Sequence, residues 1–219
     1  MKVVLFGATG MVGQGVLREC LLEPDVSGVL AVGRSTSGQS HAKLRELVHA
    51  DFTDFAALEA EFTGFDACFY CLGVSVAGLS EAAYRHLTYD FTLAEASALV
   101  RANPNMTFIY VSGAGTDSTE RGRSMWARVK GATENALLGL PFKAACMFRP
   151  ALIQPLHGVR SKTALYRAFY AAMRPLLPWL YARFPRYVTT TEQLGRAMIA
   201  VARRGPPQPI LECEDINRL

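Results

Sequence analysis

Three glycines at three-residue intervals, Gly7, Gly10 and Gly13, stand where a short apolar run gives way to a helical pattern. The stretch reads Lys2-Val3-Val4-Leu5-Phe6-Gly7-Ala8-Thr9-Gly10-Met11-Val12-Gly13. The chemistry open to such a segment is the capture of a pyrophosphate. Glycine at the first position permits a sharp turn, and at the second it lets a phosphate approach the backbone. At the third it lets helix and strand pack closely. The unpaired amides at the helix start then face the phosphates, where the helix dipole favours negative charge. Strand, glycines and helix together point to dinucleotide binding; a turn that binds nothing is the plainer alternative.

Other positions bear on which dinucleotide. An acidic residue about 20 positions past the glycines would grip the ribose hydroxyl of NAD. Here the residue 21 positions past Gly13 (34 − 13) is Arg34, followed by Ser35. A guanidinium pairs bidentately with a 2′-phosphate and the serine adds a hydroxyl donor, which favours NADP(H) over NAD(H). A solvated loop arginine is the other reading. Asp51 could accept a hydrogen bond from an adenine amino group, with Phe52 lining that pocket, or it could simply cap a loop. Leu72-Gly73, after Cys71, offers a second place where backbone can approach a cofactor. Trp126 and Lys130 lie one helical turn apart on one face.

The elements that must position these residues alternate between strand and helix, which argues for an α/β fold with a doubly wound parallel sheet. Strands are expected at residues 2–6, 28–33, 44–49, 66–71, 106–111 and 143–148. Helices are expected over 11–22, from Ser80 to about Arg101, and from about Arg123, with a short one over 55–62 begun by Asp54. At 219 residues and 50% hydrophobic, the chain can bury one sizeable core. One domain over residues 1–219 is expected, with residues 151–219 forming a small helical C-terminal portion that covers the substrate or contacts a partner.

Five cysteines, an odd number set mostly in apolar segments, read as reduced and buried. Cys68 and Cys71 have metal or redox spacing, but residues three apart in a strand point to opposite faces and should not chelate. No metal site is expected. His86 has no metal partner in view and reads as structural or surface. The N-terminus shows no signal-peptide pattern, which leads to the expectation of a cytoplasmic protein. Residues 1–150 carry 13 Lys+Arg against 15 Asp+Glu, and residues 151–219 carry 10 against 4. The basic C-terminal portion reads as an Arg-rich surface near an anionic cofactor or substrate rather than a nucleic-acid or membrane face. Arginines divide the apolar stretch 161–187, leaving no run near the roughly 20 residues of a membrane span. It reads as a lobe over the substrate or as a homodimer contact.

The chain resembles the short-chain dehydrogenase/reductase superfamily, in its atypical and extended branch. The resemblance rests on Gly7-Ala8-Thr9-Gly10-Met11-Val12-Gly13, the Cys71-Leu72-Gly73 strand end, Ser112, Lys130 and Arg149-Pro150. Val32-Gly33-Arg34, Asp51-Phe52, Tyr89-Asp90 and Val129-Lys130-Gly131 look like the Tat-interacting-protein oxidoreductase-like family. It covers about residues 1–155. It implies a cofactor held by Gly7, Thr9, Gly10, Met11, Val12, Gly13, Arg34, Ser35, Asp51, Phe52, Cys71, Leu72, Gly73, Lys130 and Pro150. It also implies an oxidoreductase or epimerase-like activity on a small carbonyl or alcohol, with Ser112 and Lys130 in the catalytic set. One departure stands out. The superfamily's Tyr-x-x-x-Lys pair is here Trp126-Ala127-Arg128-Val129-Lys130. An indole N–H donates but does not titrate in this role, so Trp126 could polarise a carbonyl but not relay a proton. A non-enzymatic module that binds NADP(H) and senses redox state or engages a protein partner is therefore the second expectation.

Overall fold

A computed structural model describes residues 1–159, 173 and 177–219. Its centre is β1 (Lys2–Phe6), hydrogen-bonded on one side to β2 (Gly28–Gly33) and on the other to β4 (Ala67–Tyr70). With β3 (Leu44–Val48), β5 (Thr107–Val111), β6 (Ala144–Arg149) and β9 (Ile210–Glu212), it makes a seven-stranded sheet in the order β3-β2-β1-β4-β5-β6-β9. All six pairings are parallel. Two three-residue strands, β7 (Leu152–Gln154) and β8 (Val188–Thr190), pair separately.

The sequence of β1 explains why both sheet faces are covered. Val3 and Leu5 point into one core and Val4 and Phe6 into the other, each fully buried. A continuous apolar run is what a strand needs when helices lie on both sides. On the first face pack α1 (Met11–Leu22) and α6 (Thr191–Arg204), through Val16, Leu17 and Cys20 against Leu194 and Met198. On the second pack a 3-10 turn (Ala56–Phe62), α3 (Phe91–Ala102) and α4 (Met125–Leu138), through Phe62, Leu99 and Leu137. Each fully buried side chain of this size contributes about 1.5–3 kcal/mol.

The expected long helix from Ser80 is interrupted. Ser80 caps α2 (Glu81–Arg85), and a π-helical turn over His86–Asp90 leads into α3. His86 spends its Nδ1 on Asp90, 2.9 Å away on the exposed side of that turn. In the C-terminal portion β9 is a strand of the main sheet and α6 crosses α1 at close quarters. A Cβ on Gly15 would lie 2.5 Å from the Thr191 Cβ, and one on Gly195 would lie 2.8 Å from the Glu19 Cγ. Arg196 Nε reaches Glu19 at 3.4 Å across the same contact. The remaining helices are α5 (Leu177–Arg183) and α7 (Cys213–Asn217). Most of the apolar stretch 161–187 lies outside the described residues. Among the described residues no helix is long and apolar enough to cross a membrane.

Beside the second core, Glu95 on α3 is fully buried, and neither carboxyl oxygen has a hydrogen-bond partner among the described residues. Burial pushes its acid well above the usual carboxylate range. The group is therefore held neutral in the folded chain and ionises freely in the unfolded one. Because the folded value is the higher, stability falls as pH rises through the window between the two, at about 1.4 kcal/mol per pH unit. Glu95→Gln should flatten that segment of the stability–pH curve in urea titrations. An unchanged curve would mean that Glu95 ionises in place.

Candidate functional site

The site lies at the carboxyl ends of the parallel strands, where the order reverses between β1 and β4. Open α/β sheets bind ligands at such a switch point. Gly7 ends β1 with φ +82, and a Cβ there would lie 2.6 Å from the Cys71 carbonyl carbon and oxygen. Only glycine meets both demands. Gly10 N–H donates to the Gly7 carbonyl at 2.9 Å and Gly10 caps α1 without any side-chain bond, which leaves the first amides of α1 without a side-chain partner. Gly13 sits under the turn, where a Cβ would lie 2.1 Å from the Gly7 oxygen. Gly10 is the open position of the three, with only the Gly7 oxygen near its Cβ site, at 3.3 Å. The turn is thus a bare-backbone cradle of the kind a pyrophosphate requires.

Two cavities flank this turn and share Leu72. Gly7, Thr9, Arg34, Ser35 and Phe52 line the one over β2 and β3. Gly10, Met11, Val12, Cys71 and Gly73 line the one over β4 and β5, together with Ser112, Lys130 and Pro150. Asp51 lines neither. Its Oδ1 accepts from the Thr53 amide at 2.9 Å and the Thr53 hydroxyl at 2.5 Å, bonds that hold its carboxyl below the usual range. Trp126 lies against Gly115, whose Cβ position would be 3.7 Å from the indole, and it does not line the cavity shared by Ser112 and Lys130.

Lys130 reaches the cavity from α4. Its Nζ donates to the Val111 carbonyl at 3.5 Å and stands 5.3 Å from the centre of the Tyr110 ring. Burial pushes its ammonium down to about 8, against the pull of Glu134 one turn further on. α4 is pressed onto the loop that follows β5, since a Cβ on Gly131 would lie 1.8 Å from the Asp117 oxygen.

Glu134 is the site residue that pattern reading missed. Fully buried, it accepts from the Ser112 hydroxyl at 2.5 Å and is bound by both Nε and Nη2 of Arg149. Arg149 also reaches Glu212 at 3.3 Å and the Ser118 hydroxyl at 2.5 Å. The signal that could have found it is its place four residues after Lys130, on the same helix face. Glu46 was missed too: it lines the Arg34 cavity and accepts from the Ser37 amide at 2.6 Å. The described cysteines are all free thiols, and among the described residues no cluster could hold a metal ion.

This fold, with a glycine turn at the switch point, is the doubly wound α/β architecture of short-chain dehydrogenase/reductase proteins. The chain belongs to the NAD dependent epimerase/dehydratase family, whose model matches residues 3–120. Protein fmp52, mitochondrial, of Emericella nidulans is 30% identical over 159 residues, 69% of this chain and 66% of that relative. Protein fmp52-2, mitochondrial, of Aspergillus oryzae is 27% identical over 98% of this chain and 95% of its own length. Among solved structures, Bordetella bronchiseptica WbmF in complex with NAD+ superposes with a TM-score of 0.68 at 16% identity, covering 99% of this chain and 76% of that one. A dTDP-glucose 4,6-dehydratase from Streptomyces venezuelae, DesIV, with NAD bound gives 0.68 at 19%, covering 94% and 73%. The relatives overturn the expected cytoplasmic setting, because the names of both carry the word mitochondrial.

Proposed function

We propose that this chain is an NADP(H)-dependent oxidoreductase or epimerase-like enzyme acting on a small alcohol or carbonyl compound. The observation that carries the reading is the joining of three features at one crevice: the bare glycine turn, Arg34 with Ser35 on one side, and Ser112 with Lys130 on the other. The amides of α1 would hold the pyrophosphate, and Arg34 and Ser35 the 2′-phosphate. Lys130 would supply a positive charge beside the reacting end. When bound, the nicotinamide group gives or takes a hydride. The relatives' names support a mitochondrial setting.

The preference for the phosphorylated cofactor is testable by calorimetry. A bidentate, charge-assisted contact contributes about 1.5–3 kcal/mol, so Arg34→Ala should lower the NADPH-over-NADH ratio by roughly tenfold to a hundredfold. An unchanged ratio would reduce Arg34 to a solvated loop residue.

The position of Trp126 favours a second reading, that of a cofactor-binding module without turnover. A titratable hydroxyl is missing where the superfamily has its tyrosine, and general acid–base catalysis is worth about 10²–10⁴-fold. NADPH oxidation with a panel of aldehydes, ketones and quinones separates the two, since robust turnover excludes the module.

A further inference from the structure

Ser112 has an unusual set of neighbours. Its Oγ lies 2.5 Å from Glu134 Oε1 and 3.2 Å from the Phe148 carbonyl oxygen. Both are acceptors. A hydroxyl has one hydrogen and two lone pairs, and a carboxylate paired with a guanidinium can only accept. The single Ser112 proton is therefore committed inward, and the Glu134–Arg149 pair behind it keeps it there. Glu134 is fully buried and Arg149 is only 11% exposed, so water cannot take over either role. The Ser112 amide is spent as well, donating to the Phe148 carbonyl at 2.9 Å. Among the described residues nothing donates to the Ser112 oxygen. What Ser112 turns toward the cavity it shares with Lys130 is a pair of unsatisfied lone pairs.

We propose that Ser112 receives its ligand as a hydrogen-bond acceptor, so that the cavity selects a hydroxyl-bearing compound over the matching ketone, with Glu134 as the positioning residue that sets this polarity. The proposal rests on the reading of the crevice as a cofactor and substrate site. A ketone oxygen placed at Ser112 meets lone pairs with lone pairs, whereas an alcohol brings the missing proton. Lys130, whose ammonium is a donor, can serve a carbonyl oxygen from another side without altering what Ser112 prefers.

The test uses two probes that the oxidised cofactor cannot convert: 1-methylcyclohexanol, a tertiary alcohol, and cyclohexanone. Their dissociation constants are measured by ligand-observed NMR titration on the NADP+-loaded protein. The alcohol should bind more tightly, and Ser112→Ala should lower the ketone-to-alcohol ratio of constants about tenfold, the worth of one hydrogen bond. Taking the change in ratio cancels the extra methyl of the alcohol. Ser112→Thr keeps a hydroxyl and should keep the preference. Glu134→Gln gives Ser112 an amide donor to accept from and frees its proton, so the preference should fall or reverse while NADP+ affinity holds. A ratio unmoved by Ser112→Ala, a parent that prefers the ketone, or the absence of saturable binding by either probe would overturn the proposal. Failure of NADP+ itself to bind, read separately by calorimetry, would remove the cofactor site and this proposal with it.

Discussion

Gly13→Ala should cost about 3 kcal/mol or more and bring this chain close to its unfolding threshold. The added Cβ would lie 2.1 Å from the Gly7 oxygen, and no side-chain rotation relieves a contact between backbone and backbone. Gly7 cannot retreat, because its own surroundings are as tight on the Cys71 side and its carbonyl already accepts from Gly10. Overpacking with mobile neighbours costs about 1–3 kcal/mol, and here the neighbours are fixed. Against a total of about 5–15 kcal/mol this is a large loss, visible as a lowered urea midpoint with an unchanged slope. Gly10→Val is the informative companion. Its position is open, so the circular dichroism spectrum should stay near the parent while dinucleotide affinity disappears. Equal stability of Gly13→Ala and parent would show that α1 does not sit on the turn as described.

A second large effect is expected at Glu134. Glu134→Ala leaves the guanidinium of Arg149, 11% exposed, with the more distant Glu212 and the Ser118 hydroxyl, and leaves the Ser112 hydroxyl with only the Phe148 carbonyl. Removing one partner of a buried ion pair costs about 3–5 kcal/mol when the survivor is left unpaired, and the remaining contact of Arg149 with Glu212 at 3.3 Å puts the expected cost at the lower end, about 3 kcal/mol. The double variant Glu134→Leu/Arg149→Met should recover most of the loss. Thermal unfolding of Glu134→Leu, Arg149→Met and the double variant closes the cycle, and strict additivity would contradict the coupling.

What could be read from the sequence was whatever is encoded within one or two turns of chain. The glycine spacing, the Val3–Phe6 run and the Ser80 cap each declare a local geometry, and their elements stand within a residue or two of expectation. The helix from Ser80 to Arg101 was legible as helix but not as broken, because a π-turn over His86–Asp90 has no side-chain pattern of its own. Glu134 was passed over for a different reason, although its place four residues after Lys130 marks the same helix face. A glutamate in a helix reads as surface, and the arginine that draws it inside stands on another element. Trp126 and Lys130 share a face of α4, yet only Lys130 lines the cavity, while the indole lies against Gly115 in the loop between β5 and α4. Asp51 could be read two ways, and Thr53, two residues on, occupies its carboxylate. The cellular setting is not a matter of packing at all, and what bears on it is the word mitochondrial in the relatives' names.

The reciprocal glycines of α1 and α6 set the order of events in folding. Glu19 and Arg196 stand 177 residues apart in sequence, and the helix backbones meet only when both ends of the chain are in place. Closing so long a loop is entropically unfavourable until the intervening sheet has drawn the ends together. High contact order of this kind slows folding, so the clasp should form late, after the β1-β2-β4-β5 centre has assembled. Until then the apolar face of α1, carrying Val16, Leu17 and Cys20, has the sheet on one side but lacks the cover that Leu194 and Met198 of α6 provide. A nascent chain would therefore hold α1 half-exposed on the ribosome until the helix that begins at Thr191 arrives to shield it.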